Sequence, residues 1–207
     1  MDNLIISVGR QIGSGGCEIA RMLAKEFGCK FYDKEIINLA AEKSGFNPKV
    51  FERCDESHGL IQSVGGFFER LFNPYSNSIS SENLFQIQSE VIFKIGKNEN
   101  CVIMGRCADY ILRNNPNLFS VFITADDDVR FKEVARRLYS DYETARKFVL
   151  KHETERASYY NYYTSKTWGA AQNYDLCINS SILGWEGTAN LISSIIRKKF
   201  NLLTLQA

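Results

Sequence analysis

Residues Gly9-Arg10-Gln11-Ile12-Gly13-Ser14-Gly15-Gly16-Cys17 separate a short apolar run from an amphipathic segment. Leu4 to Val8 reads as a buried parallel strand. Beyond the loop, Ile19, Leu23 and Phe27 recur at i, i+4 and i+8, with Ala20 and Ala24 beside them. That is one face of a helix, and Gly28 is its natural stop. A strand running through glycines into a helix restricts the fold strongly. Glycines let several backbone N–H groups turn inward, and the helix adds its positive end, so the join favours an anion. The formal net charge is only +1, so an anion site here is local rather than the product of a global field.

The pattern continues as alternating strands and helices. Lys30-Phe31-Tyr32 reads as a second strand ending at Asp33, and Ile36, Ile37, Ala40 and Ala41 as the face of a helix. Cys101 to Met104 and Leu118 to Thr124 are further strands, the first followed by the Gly105-Arg106 turn and a short helix to Leu112. Asp126-Asp127-Asp128 suits a helix N-terminus. A polar, tyrosine-rich helical stretch follows, then a strand from Tyr174 to Asn179 and a C-terminal helix lined by Ile192, Ile195 and Ile196. Between residues 46 and 98 the texture shifts to helical segments flanking a glycine- and aromatic-rich stretch, which predicts a helical insertion. The expected class is α/β, a parallel sheet with helices on both faces and ligands at the carboxyl ends of the strands. The loop, Asp33 and Gly105-Arg106 are all expected at that end.

Composition removes several alternatives. A chain of 207 residues with 44% hydrophobic and 24% charged residues is an ordinary globular domain, and burial of roughly 70% of the unfolded surface is expected at this size. The six cysteines show no C-x-x-C spacing and only two histidines accompany them, so no zinc site is expected and the thiols read as buried and free. No segment approaches the ~20 apolar residues of a membrane span. The expectation is a cytoplasmic protein with no membrane or nucleic-acid polymer as partner.

The phosphate-loop pattern G-x-x-x-x-G-K-[ST] matches only partly. With Gly15 as its second glycine, Gly16 stands at the lysine position, Cys17 at the Ser/Thr position and Arg10 at the opening glycine. A dinucleotide fingerprint using Gly13 and Gly15 places its third glycine on Glu18, with Asp33 in the right neighbourhood for a ribose contact. A tight turn with no ligand is the plain alternative.

Three blocks in order, "ISVGRQIGSGGCEIARMLAKEFGCKFYDKEII", "CVIMGRCADYIL" and "RASYYNYYTSKTWGAAQNYDLCINSSILGWEG", resemble the cytidylate kinase-like family of P-loop nucleoside monophosphate kinases. The resemblance implies one P-loop kinase domain over 1–207, with the 46–98 insertion serving the acceptor and a lid over 140–172. It implies ATP with Mg2+ as cofactors and a small nucleotide acceptor such as CMP or dCMP. Gly13, Ser14, Gly15, Gly16 and Cys17 would hold the donor phosphates, with Arg137 a further contact from the lid side. Gly105-Arg106 resembles the family's Gly-Arg-Asp turn, which carries an acceptor role to Arg106. The aspartate role has no counterpart, because Cys107 stands there. Arg10 is the candidate replacement for the missing loop lysine, and Arg156 the candidate lid arginine.

Other residues carry competing readings. Asp33 is an acceptor contact, a water-mediated magnesium contact or a base, or else the N-cap of the following helix. Arg130, Arg136 and Arg137 read mostly as a solvated helix face. The resemblance implies more basic residues where this chain has His152-Glu153-Thr154-Glu155, so Glu153 and Glu155 read as acids that weaken the lid's positive field, leaving Lys151, Arg156 and Lys166. Tyr159, Tyr160, Tyr162 and Tyr163 read as packing residues, and Asp126 to Asp128 as capping acids rather than a metal site. Against an enzyme stands a nucleotide-binding sensor without turnover, and against a nucleotide acceptor stands a kinase for another small molecule.

Overall fold

A computed structural model of the chain describes residues 3–33, 36 and 81–202. Most of the expected insertion, and the helix expected around Ile37, Ala40 and Ala41, lie outside them. Five strands form one wholly parallel sheet: β1 (Ile5–Arg10), β2 (Lys30–Tyr32), β3 (Cys101–Met104), β4 (Leu118–Thr124) and β5 (Leu176–Asn179), in the order β2-β3-β1-β4-β5. The helices among the described residues are α1 (Gly16–Glu26), α2 (Ser81–Asn98), α3 (Ala108–Ile111), α4 (Asp127–Leu138), α5 (Tyr142–Thr164) and α6 (Gly184–Lys199).

Strand alternation sorts the core onto the two faces of the sheet. Ile6, Val8, Val102, Met104, Phe119, Val121 and Ile123 meet Ile19, Ala20, Leu23 and Ala24 of α1 and Ala189, Ile192 and Ile196 of α6. Ile5, Cys101, Ile103 and Leu118 pack with Leu84, Val91, Ile92 and Ile95 of α2, with Leu112, and with Ile36. The last part of the segment read as an insertion is thus a helix of the main core. A smaller cluster, Phe131, Val134, Ala145 and Val149, joins α4 to α5 and takes in Ile12 from the loop. No helix among the described residues is long and apolar enough to cross a membrane.

β1 runs two residues further than its apolar pattern indicates. Gly9 and Arg10 pair with Phe122 and Ile123, because the seven-residue β4 offers them partners. At Gly9 an added Cβ would lie 2.6 Å from Phe122 Cδ2, so the strand needs glycine there to seat that ring. Being central, β1 has one neighbour leading to β2 and another leading to β5, and its carboxyl end is where the strand order reverses. Crevices in parallel sheets open at that point. On the far edge, Asp175 ties β5 to β4: its Oδ2 accepts from the Ser120 N–H at 2.8 Å and the Ser120 hydroxyl at 3.0 Å, while Oδ1 accepts from Lys199 Nζ at 2.9 Å.

Candidate active site

The loop leaves β1 with Gln11 N–H still bonded to the Ile123 carbonyl at 2.9 Å, then turns. Gly13 (φ +82°) and Gly15 (φ +75°) make the turn in the left-handed region, where a side chain is strained. Both sites are also closed to a side chain by neighbours. A Cβ at Gly13 would lie 2.5 Å from the Arg130 carbonyl oxygen, and one at Gly15 only 2.1 Å from Trp185 Nε1. Ser14 is fully buried and serves the loop's own shape. Its hydroxyl donates to the Gln11 carbonyl at 2.9 Å and its carbonyl accepts from the Ser180 hydroxyl at 2.7 Å. As a proposed phosphate ligand it therefore has no hydroxyl to offer, and its N–H is turned back toward the same Gln11 carbonyl.

Anion-binding capacity lies one step later. No backbone acceptor among the described residues engages the N–H groups of Gly15, Gly16, Cys17 and Glu18. These are the orphan donors of the first turn of α1, and they carry the positive end of its dipole. Four successive amides of this kind suit a polyphosphate.

Arg10 crosses this turn. A Cβ at Gly16 would meet Arg10 Cβ at 2.6 Å and Cγ at 3.0 Å. Gly16 is the position at which the phosphate-loop pattern carries lysine, so the arginine stem fills the space from which a lysine side chain would start. Arg10 also lines a pocket beyond the ends of β1 and β3, together with Arg106, Cys107 and Asp109 and the rings of Tyr160, Trp168 and Tyr174. Arg106 and Cys107 both hold positive φ, at 58° and 55°, as the chain turns sharply from β3 into α3. That turn places Arg106 against the pocket while burying most of its surface.

The electrostatics follow from this packing. Burial pushes the Cys17 thiol up, with Arg21 and Arg10 opposing and Asp33 and Glu18 adding to the rise. Asp33 thus lies within electrostatic reach of the loop, half-buried just past β2. Burial also raises the Asp109 carboxyl, against the Tyr160 hydroxyl that donates to its Oδ2 at 2.7 Å. The buried Tyr160 phenol and the partly buried Tyr174 phenol beside that carboxylate are held neutral, their pKa values raised first by desolvation and next by Asp109.

Of the residues singled out from the sequence, Arg10 and Arg106 meet at one pocket, and Gly15, Gly16 and Cys17 supply amides. Arg156 is buried on α5 but is not among the pocket-lining residues. Arg137 bonds to Glu133 at 2.5 Å and lies over the Trp185 ring, 5.8 Å from its centroid, next to the indole that covers Gly15. Two of the four tyrosines pack as expected: Tyr163 stacks on Phe85 with ring centroids 4.0 Å apart, and Tyr159 meets the same ring edge-on. Tyr160 lines the pocket, and Tyr162 is exposed, its hydroxyl donating to Glu82 Oε1 at 3.1 Å. Asp126 stands at the N-cap of α4, but its carboxylate makes no cap bond and accepts from Asn179 Nδ2 at 2.8 Å instead.

Two readings change. Arg130 is not part of a solvated face: its side chain is 3% exposed and bonds to Glu153. Glu153 in turn points inward at the loop rather than into the lid's field, accepting from the Ile12 N–H at 2.9 Å. Asp109, Trp168 and Tyr174 at the pocket were also not singled out. Asp109 follows Arg106 by three residues, a spacing that places both at one turn; the Arg130–Glu153 pair and the edge-on packing of Trp168 against Phe122 join distant segments and leave no local pattern. Among the described residues no group of three or more His, Cys, Asp or Glu is placed to hold a metal ion.

Comparison with known proteins places this geometry. The chain is 26% identical over 198 residues to a cytidylate kinase of Archaeoglobus fulgidus, covering 94% of this chain and 95% of that one. The structure superposes on that of an uncharacterized protein from Eubacterium ventriosum with a TM-score of 0.72 at 28% identity, covering 94% and 98% of the two chains. A shikimate kinase from Bacteroides thetaiotaomicron, at 12% identity, has a TM-score of 0.53 over 94% and 98% of the chains, a likeness of fold alone. The fold is that of the P-loop kinases. The model of the cytidylate kinase-like family matches residues 5–182, and the chain belongs to that family.

Proposed function

We propose that this protein transfers the γ-phosphoryl group of ATP to a nucleoside monophosphate, with CMP or dCMP the first choice. The observation that carries the reading is the meeting of Arg10 and Arg106 at one pocket, with the Arg10 stem packed against Gly16, one of four amides that have no backbone acceptor among the described residues. The relatives' designation as cytidylate kinases supports the acceptor. Phosphoryl transfer asks a protein chiefly to position two phosphates and neutralise their charge. Here the Gly15–Glu18 amides hold the donor phosphates. Arg10 supplies the positive charge that other phosphate loops draw from lysine, with a guanidinium able to bridge two phosphate oxygens. Arg106 holds the acceptor phosphate. Arg156 and Arg137 act from the 140–172 lid side and the Trp185 side of the loop, and the part of the 46–98 region ahead of α2 completes the acceptor site.

Magnesium fits in part. It takes oxygen ligands and keeps several waters, so the donor phosphates and one carboxylate suffice. Asp33 is the carboxylate at hand. The half-buried Cys17 thiol does not replace the hydroxyl that the loop pattern puts on the metal. The metal's contribution, when bound, is to screen the charge on the donor phosphates.

That cysteine is the specific feature favouring a second reading, nucleotide binding without turnover. One experiment separates the two. The protein is incubated with ATP, magnesium and a panel of nucleoside monophosphates, and ADP formation is read. Turnover with CMP or dCMP is expected. ATP binding with no turnover on any of these acceptors removes the nucleoside monophosphate kinase reading and favours the second, and no nucleotide binding removes both.

A further inference from the structure

We propose that Glu153 is a positioning residue of the phosphate loop: from α5, seated by Arg130, it fixes the loop's first turn and so aims the Gly15–Glu18 amides. This role rests on the reading of the loop as the donor-phosphate site. Glu153 Oε1 accepts from the Ile12 N–H at 2.9 Å and from Arg130 Nη1 at 2.6 Å. The same Arg130 nitrogen donates to the Ile12 carbonyl at 3.3 Å, so both polar groups of Ile12 are held by one ion pair. Asp127 Oδ1 takes Arg130 Nη2. The pair is well sheltered, with side chains 3% and 14% exposed.

Two further contacts fasten the same turn. The Ile12 side chain packs into the α4–α5 cluster of Phe131, Val134, Ala145 and Val149, and Gly13 lies directly on the Arg130 backbone. A loop with glycines at 13, 15 and 16 has little stiffness of its own, and its amides form a cradle only when the turn is held. A buried ion pair adds little stability over apolar side chains of like volume. What this pair adds is direction, a fixed acceptor for one loop N–H and a fixed donor for one loop carbonyl. Glu153, Arg156 and Tyr160 recur at i, i+3 and i+7 on α5, so one helix face carries the clamp on the loop and the tyrosine of the pocket.

The test uses R130M/E153M, which removes both charges and keeps the bulk, and E153Q, which keeps an acceptor oxygen for Ile12. Backbone hydrogen exchange is read without ligand, and calorimetry reads ATP and CMP affinity. In R130M/E153M the hydrogen-bonded loop amides, Ile12 and Ser14, are expected to exchange about ten- to a hundredfold faster, the loss of charged hydrogen bonds at Ile12 and of the turn they hold at Ser14. Amides of β1 and β4 keep wild-type rates. ATP binds at least about tenfold more weakly, CMP affinity is unchanged, and E153Q falls between wild type and the double variant on both readouts. Should the double variant not fold, E153Q alone decides by the same two readouts. Unchanged loop exchange overturns the proposal, and so does faster exchange with unchanged ATP affinity. If the wild-type protein binds no ATP, the proposed function falls, and exchange alone decides whether the clamp exists.

Discussion

Substituting Gly16 by alanine places a methyl group 2.6 Å from Arg10 Cβ and 3.0 Å from Cγ. Arg10 Cβ is fixed to β1, so it cannot swing aside as a side-chain tip would. Overpacking of this kind costs about 1–3 kcal/mol. Gly16 opens α1, where alanine returns up to about 1 kcal/mol of helix propensity. The net effect of G16A in the wild-type background is a loss of up to about 2 kcal/mol, a fall of several degrees in Tm at about 2–4 °C per kcal/mol for this size. In an R10G background the obstruction is gone and only the propensity term remains. There G16A is expected to be neutral or stabilising by up to about 1 kcal/mol. Urea denaturation of the four proteins gives the coupling, expected at about 1–3 kcal/mol. Equal costs of G16A in both backgrounds would refute the claim that the arginine stem fills the space of the loop lysine.

Four further outcomes are expected. Burial raises the Asp109 carboxyl, so in the window above the ordinary carboxylate range the folded state holds a proton that the unfolded state has released. Its contribution to stability therefore falls as pH rises through that window, and D109N should gain on wild type over the same interval in pH-dependent denaturation. Burial pushes Cys29 up to about 11 and Cys101 up to about 12, so neither should react with a thiolate-selective reagent at pH 7.5 in the native protein. Bound ATP should slow modification of Cys17 relative to the protein alone. Burial works to raise the Asp175 carboxyl, but Ser120 and Lys199 outweigh it and hold it low. D175A, which strands the Ser120 N–H and Lys199, should cost about 1–3 kcal/mol in urea denaturation, and the deficit should shrink as acid protonates Asp175 in the wild type.

Local pattern carried much of this molecule. Ile19, Leu23 and Ala20 face the sheet as their spacing indicates, and the Cys101–Met104 and Leu118–Thr124 runs are strands over those bounds. The convergence of Arg10 and Arg106 follows from parallel topology, since both stand at carboxyl ends of adjacent strands. What pattern could not supply were contacts between distant segments. Arg130 sits among charged residues on α4 and has the look of a solvated residue. Only the docking of α5 shows that it turns inward to Glu153, which lies 23 positions away, and to Ile12, 118 away. Glu153 is misread for the same reason, because an acid in a lid sequence is ordinarily judged by its charge rather than by what its carboxylate accepts. The extension of β1 to Arg10 likewise depends on the length of β4, a strand more than a hundred residues later.

Arg10 as the cation of the phosphate loop is tested most directly by titrating ATP with magnesium into wild type, R10K and R10A. The expected result is a loss of at least about tenfold in affinity for R10A, the scale of a charged hydrogen bond, with R10K retaining part of it and circular dichroism unchanged across the three. ATP affinity in R10A equal to wild type would contradict the assignment.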